Sequence, residues 1–122
     1  MRSKQVMKNL ANSRKHEEYV ADRLRDVLGG VVKVQPGSGN QATAPGDVVA
    51  SGRYFVECKA TAAESISLKH AWLTRLKKLA QQGGLRSILA IRFVDEAQRD
   101  FFLVDEDTFL HLLSCEREVV EQ

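Results

Sequence analysis

The chain has 122 residues, 43% apolar and 28% charged, with a formal net charge of +2. That is enough for one domain with a real core, 1–122, and the composition is that of an ordinary globular protein. No apolar run approaches a membrane span or follows the basic N-terminus as a signal peptide would, and Cys58 and Cys115 have no zinc-site spacing. An intracellular protein with reduced thiols is therefore expected, a disulfide between the two cysteines remaining open.

The small net charge conceals a segregation. Residues 1–93 carry 16 Lys/Arg and 7 Asp/Glu, a net of +9, whereas residues 94–122 carry 2 and 9, a net of −7. Such a field draws a polyanion to the first part and repels it from the last, although clustered surface charge alone would look the same.

In chain order, residues 1–13 are basic and predict an arm or a helical extension. From about Arg14 to Leu28 the pattern is helical, with Val20, Leu24, Val27 and Leu28 at spacings of three and four, Ser13 as a cap and Gly29-Gly30 as the stop. "VVKV" (31–34) reads as a short strand. "QPGSGNQATAPG" (35–46) reads as a loop. "DVVA" and "RYFVECKA" read as strands joined near Ser51-Gly52. Ser67 is placed to cap a second helix with the stripe Leu68, Trp72, Leu76 and Leu79, ended by Gly83-Gly84. "SILAIRF" (87–93) suits a central strand and "DFFLV" (100–104) another. Asp105 is placed to cap a last helix running through Phe109, Leu110, Leu112 and Leu113. The order is αβββαββα, an α/β sandwich around a mixed sheet.

Glu57 and Lys59 stand on one face of a strand whose other face, Tyr54, Val56 and Cys58, is apolar. Charges are depleted from strand interiors and costly there unless paired or metal-bound. A plain surface pair would be worth little; a cation-binding carboxylate beside a phosphate-handling lysine would explain both positions. Asp47 opens the preceding strand. A two-residue turn would pair it with Val56, on the wrong face; a three-residue loop, 51–53, pairs it with Glu57, and Gly52 permits the positive φ that loop needs. Two carboxylates meeting at a strand end suffice to anchor Mg²⁺, which keeps several of its waters.

The arrangement Asp47-x9-Glu57-x-Lys59, in "GD…VECK", resembles the PD-(D/E)xK nuclease motif, with Pro45 displaced by one so that "PGD" stands for "PD". The helix "HEEYVADRLRDVLGG", the loop "PGSGN" and the core "VECKAT" together resemble the archaeal and phage-type Holliday junction resolvases, over roughly residues 14–93. The resemblance implies a restriction-endonuclease-like fold and an Mg²⁺-dependent (or Mn²⁺-dependent) endonuclease acting as a homodimer on branched DNA, the four-way junction. It implies metal ligands Glu17, Asp47 and Glu57, with Lys59 assisting the attacking water. Glu17 precedes Val20, Ala21 and Leu24 on the inward stripe, while Glu18 is rotated off it and remains the alternative. DNA contacts are expected from Arg2, Lys4, Lys8, Arg14 and Lys15, from Ser38 in the Gly-rich loop, and from Lys69, Arg75, Lys77 and Lys78. Trp72 is assigned to the core or a dimer interface, His16 to the surface, and Cys58 to the core. The rival expectations are a related nuclease of repair, replication or restriction type, and a catalytically silent DNA-binding module.

Overall fold

The computed structural model describes residues 4–35, 47–94 and 99–121. The order is α1 (Lys4–Leu28), β1 (Val32–Gln35), β2 (Asp47–Ala50), β3 (Tyr54–Thr61), α2 (His70–Gln82), β4 (Arg86–Phe93), β5 (Arg99–Val104) and α3 (Glu106–Glu121). The strands form one five-stranded sheet in the order β1-β2-β3-β4-β5. β3 and β4 are parallel, and every other neighbouring pair is antiparallel. The parallel pair needs a crossover, and α2 supplies it. The protein is thus mixed α/β, a mixed sheet flanked by three helices.

Alternation along the strands divides the core in two. Val48, Ala50, Tyr54, Val56, Cys58, Ile88 and Ala90 bury one face against Val20 and Ala21 of α1, with Leu24 and Leu28 packed at its margin. Leu89 and Ile91 bury the other face against Leu76 of α2, with Phe55, Leu73, Phe93 and Leu103 packed around them. α1 therefore covers β1 to β3 from one side, while α2 covers β3 and β4 from the other.

The N-terminal residues turn out to be a helical extension: α1 begins at Lys4, so Ser13 is inside it rather than its cap. At 25 residues α1 is about 37 Å long by the standard rise. Gly29 ends it, donating its N–H to the Arg25 carbonyl. Val27, placed on the inward stripe from sequence, is 78% exposed. α2 starts at His70 after Lys69, with no side-chain cap, so Ser67 does not serve as one. The buried stripe of α2 is Leu73, Leu76 and Ala80, and Leu68 and Leu79 are exposed. Only Leu76 is shared with the stripe read from sequence, because the sheet selected the face carrying small Ala80. At α3 the Asp105 carboxylate accepts the Thr108 N–H at 2.8 Å, the expected N-cap. Phe109, Leu110, Leu112 and Leu113 of that helix are exposed. Cys58 is buried in the core and Cys115 exposed, and they do not form a disulfide. Among the described residues no helix is long and apolar enough to cross a membrane.

Candidate functional site

The β2–β3 turn sets the site. Arg53 donates its N–H to the Ala50 carbonyl at 3.0 Å, and the two residues between them, Ser51 and Gly52, have φ of 54° and 62°. Two successive positive φ values are what a tight hairpin turn requires. Arg53 is then an extra residue, its carbonyl accepting the Arg86 N–H of β4 at 2.8 Å. Pairing begins with Ala50 opposite Tyr54 and runs to Asp47 opposite Glu57. The loop is thus 51–53 and the register is the one that puts positions 47 and 57 on the same face of the sheet. The Asp47 side chain lies outside the described residues, as do Arg2 and the whole of Ser38.

On β3 the alternation holds: Val56 and Cys58 enter the core under α1, and Glu57 and Lys59 look toward α2. Glu57 is buried. Its neighbour in register on β4 is Leu89, also buried, so the carboxylate has an apolar flank on one side and Asp47 of β2 on the other. Arg75 reaches it from α2, Nη2 lying 3.7 Å from Oε1. The Lys59 ammonium sits 4.1 Å from the centroid of the Trp72 ring, and the Lys69 ammonium 5.7 Å from it. Trp72 is half-buried; it is a seat for two cations rather than a plain core residue, and it fixes where Lys59 points.

Other expected contacts are placed differently. Glu17 is half-buried on α1 and Glu18 exposed, which agrees with the inward phase assigned to Glu17. Glu17 stands in the layer across the sheet from Arg75 and Trp72, and it has a partner of its own. Among the described residues no three His, Cys, Asp or Glu side chains stand close enough to share a metal ion. Arg14 and Lys15 are exposed on α1, and Lys78 is exposed on α2. Lys4 and Lys8 belong to the same helix as Arg14, with their side chains outside the described residues. Lys77 is engaged elsewhere, its ammonium 3.0 Å from Asp105 Oδ2. That bond raises the Lys77 pKa, while the Thr108 N–H chiefly, with Lys77, lowers that of Asp105.

His16, read as a surface residue, is fully buried. Its Nε2 is 3.2 Å from Asp100 Oδ1, although not aligned as a hydrogen bond, and its Nδ1 has no hydrogen-bond partner. Asp100 accepts two 2.8 Å bonds from Nε and Nη2 of Arg92, its partner in register on β4. The Arg92 guanidinium in turn stacks 4.5 Å from the Tyr19 ring centroid. Burial chiefly, with the Arg92 charge, lowers the His16 pKa to about 4 against the pull of Asp100, so the ring is neutral at pH 7. This cluster ties α1 to the far half of the sheet. Its sequence signal was present: counting back four from Val20, in step with Leu24 and Leu28, lands on His16.

The described donor is the Glu57 carboxylate, a hard oxygen ligand with Asp47 opposite it in register and cations of α2 around it. Carboxylate oxygens suit Mg²⁺ or Mn²⁺ rather than a soft metal, and a guanidinium already occupies the cation's side of Glu57. No family model, curated protein or solved structure matches this chain.

Proposed function

We propose that the protein is a divalent-cation-dependent endodeoxyribonuclease with the restriction-endonuclease-like fold, acting on branched DNA as a Holliday junction resolvase does. The observation that carries the proposal is the register of Asp47 opposite Glu57, with Lys59 two residues on and the basic face of α2 beside them. Asp47 and Glu57 would hold Mg²⁺ with water completing its shell, and Glu17, which stands on α1 across the sheet from them, falls outside the set. Bound there, the ion supplies Lewis acidity at a phosphoryl oxygen and acidifies a water ligand. Lys59, steered by Trp72, orients the attacking water or offsets charge building on the phosphate. Arg75, Lys69 and Lys78, with Arg14 and Lys15 on α1, take the backbone phosphates, which position DNA without reading its sequence.

A four-way junction presents two-fold related strands, and resolving it takes a nick in each. Two copies of the chain, one site per copy, meet that symmetry. The test is cleavage of a labelled four-way junction, a flap and a linear duplex of equal length, with Mg²⁺ and with EDTA. Paired nicks across the branch point, abolished by EDTA, are expected. Binding should weaken steeply with salt, because counterions are released. If linear duplex competes equally or nicks fall on one strand only, a repair, replication or restriction-type nuclease takes the resolvase's place. Full activity in EDTA removes the metal site altogether.

A further inference from the structure

Two Arg–carboxylate pairs described between the elements are built in opposite ways. Arg92 and Asp100 are both almost wholly buried and share two 2.8 Å hydrogen bonds. In the second pair the Glu57 side chain is only 8% exposed, yet Arg75 is 61% exposed and stops 3.7 Å away, beyond hydrogen-bond distance. A buried carboxylate is normally held by close hydrogen-bonding partners. Here the guanidinium attends the charge from the open side without locking onto it. A buried carboxylate calls for a cation, and among the described residues Arg75 is the one that reaches it.

We propose that Arg75 is a displaceable counterion: it attends Glu57 when no divalent cation is bound, competes with that cation for the carboxylate, and once released is delivered to a substrate phosphate. The inference rests on the nuclease function proposed above. A divalent ion replaces one loosely held positive charge with two, and an exposed guanidinium gives up little on leaving. The freed planar fork matches phosphate geometry, and Lys78 lies three residues further along the same helix. Linkage then runs both ways: a phosphate that captures Arg75 raises cation affinity, and a cation that evicts Arg75 raises phosphate affinity. The site therefore loads metal and DNA together.

The test is calorimetric titration of Mn²⁺ into the wild-type protein, R75Q, R75K and E57Q at low ionic strength. R75Q should bind Mn²⁺ about two- to fivefold more tightly, the range an exposed pair can supply, while R75K stays near wild type and E57Q loses the site. The second arm is metal-free, duplex DNA binding in EDTA. E57Q should bind more tightly than wild type, and that gain should shrink when R75Q is added, because the two substitutions then share one partner. If Mn²⁺ binds through Glu57 but R75Q binds it no more tightly than wild type, the counterion role is overturned and the nuclease proposal stands. If E57Q gains the same in both backgrounds, delivery to phosphate is overturned. If neither wild type nor R75Q binds Mn²⁺, the metal site and this inference fall together.

Discussion

The two faces of the sheet are put together on different principles. Under α1 the strands bury a broad apolar cluster, and the polar groups there pack onto one another: the neutral His16 ring against Asp100, Asp100 locked to Arg92 by two hydrogen bonds, Arg92 over Tyr19. Under α2 the buried cluster is smaller. The charged groups at its margin are held loosely, Arg75 at 3.7 Å from Glu57 and Lys59 over an indole face. Side chains that exchange partners with a ligand cannot also be cemented in place, so on the proposed function the face under α1 would carry the stability and the face under α2 the chemistry. Substitutions on the two sides should accordingly separate, one set costing stability and the other activity.

The sharpest break comes from Glu57→Gln, which removes the proposed ligand while leaving shape nearly unchanged. Junction cleavage should fall by about 100-fold or more, since even groups that only support a metal ligand cost up to that much. The urea midpoint should move little. A comparable loss of stability would place Glu57 in the structural scaffold instead. The mirror experiment is Arg92→Met, which strands Asp100 in the interior. Breaking a buried pair from one side costs about 3–5 kcal/mol, read as a lowered urea midpoint, with cleavage per folded molecule preserved.

Mild acid should act chiefly on the α1 face, with the Asp105 cap and its bond to Lys77 following only below the ordinary carboxylate range. The folded pKa of His16 is lowered from 6.5 to about 4, so the unfolded chain takes up the proton first as pH falls. Stability attached to this ring is then complete above about pH 6.5 and lost between pH 6.5 and 4, a loss of roughly 3 kcal/mol in all. Asp100 opposes that loss and Arg92 adds to it. Thermal melts of wild type and His16→Gln across that window decide the matter: the variant should lack most of the slope. The smallest effect is expected at Trp72→Leu, which unseats Lys59. A cation–π contact at a partly exposed site is worth about 1 kcal/mol, so kcat should drop about fivefold, with the larger part of the effect in kcat rather than KM. An unchanged kcat would make the indole a packing residue only.

The sequence carried the element order because it rests on local rules, alternation along β3 and glycine at the helix ends; the register stayed open between a two-residue turn and the loop 51–53, and the observed pairing of Asp47 with Glu57 settles it. The sequence failed where a choice depended on the opposing surface. α2 offers two overlapping apolar stripes, and only contact with Leu89 and Ile91 selects the one through Leu73, Leu76 and Ala80. The first ten residues of α1 carry Val6, Met7 and Leu10 at helical spacing, a stripe too short among basic and polar residues to choose between an arm and a helical extension. The reasoning that singled out Glu57, a charge set in an apolar strand, applied equally to Arg92 in "SILAIRF" and Asp100 in "DFFLV". Used there, it would have shown that two such charges in neighbouring strands must meet. That Arg75 faces Glu57 depends on how α2 settles on the sheet, and no spacing along the chain reveals it.

The turn that joins β2 to β3 is a clamped joint. Its place is held from outside: the Ser51 N–H donates to the Val31 carbonyl, and Gly30 approaches the Ser51 side chain so closely that a Cβ there would collide with its hydroxyl. β2 is also tied along its length to β1, and β3 to β4, so each strand's register is set by a neighbour as well as by the turn. Hairpin loops of about two to five residues are all common, so a residue gained or lost at 51–53 is expected to be absorbed within the loop, leaving Asp47 opposite Glu57. The joint thus tolerates change at its tip and not at its clamp, where a side chain on residue 30 would displace Ser51 and with it the start of the loop.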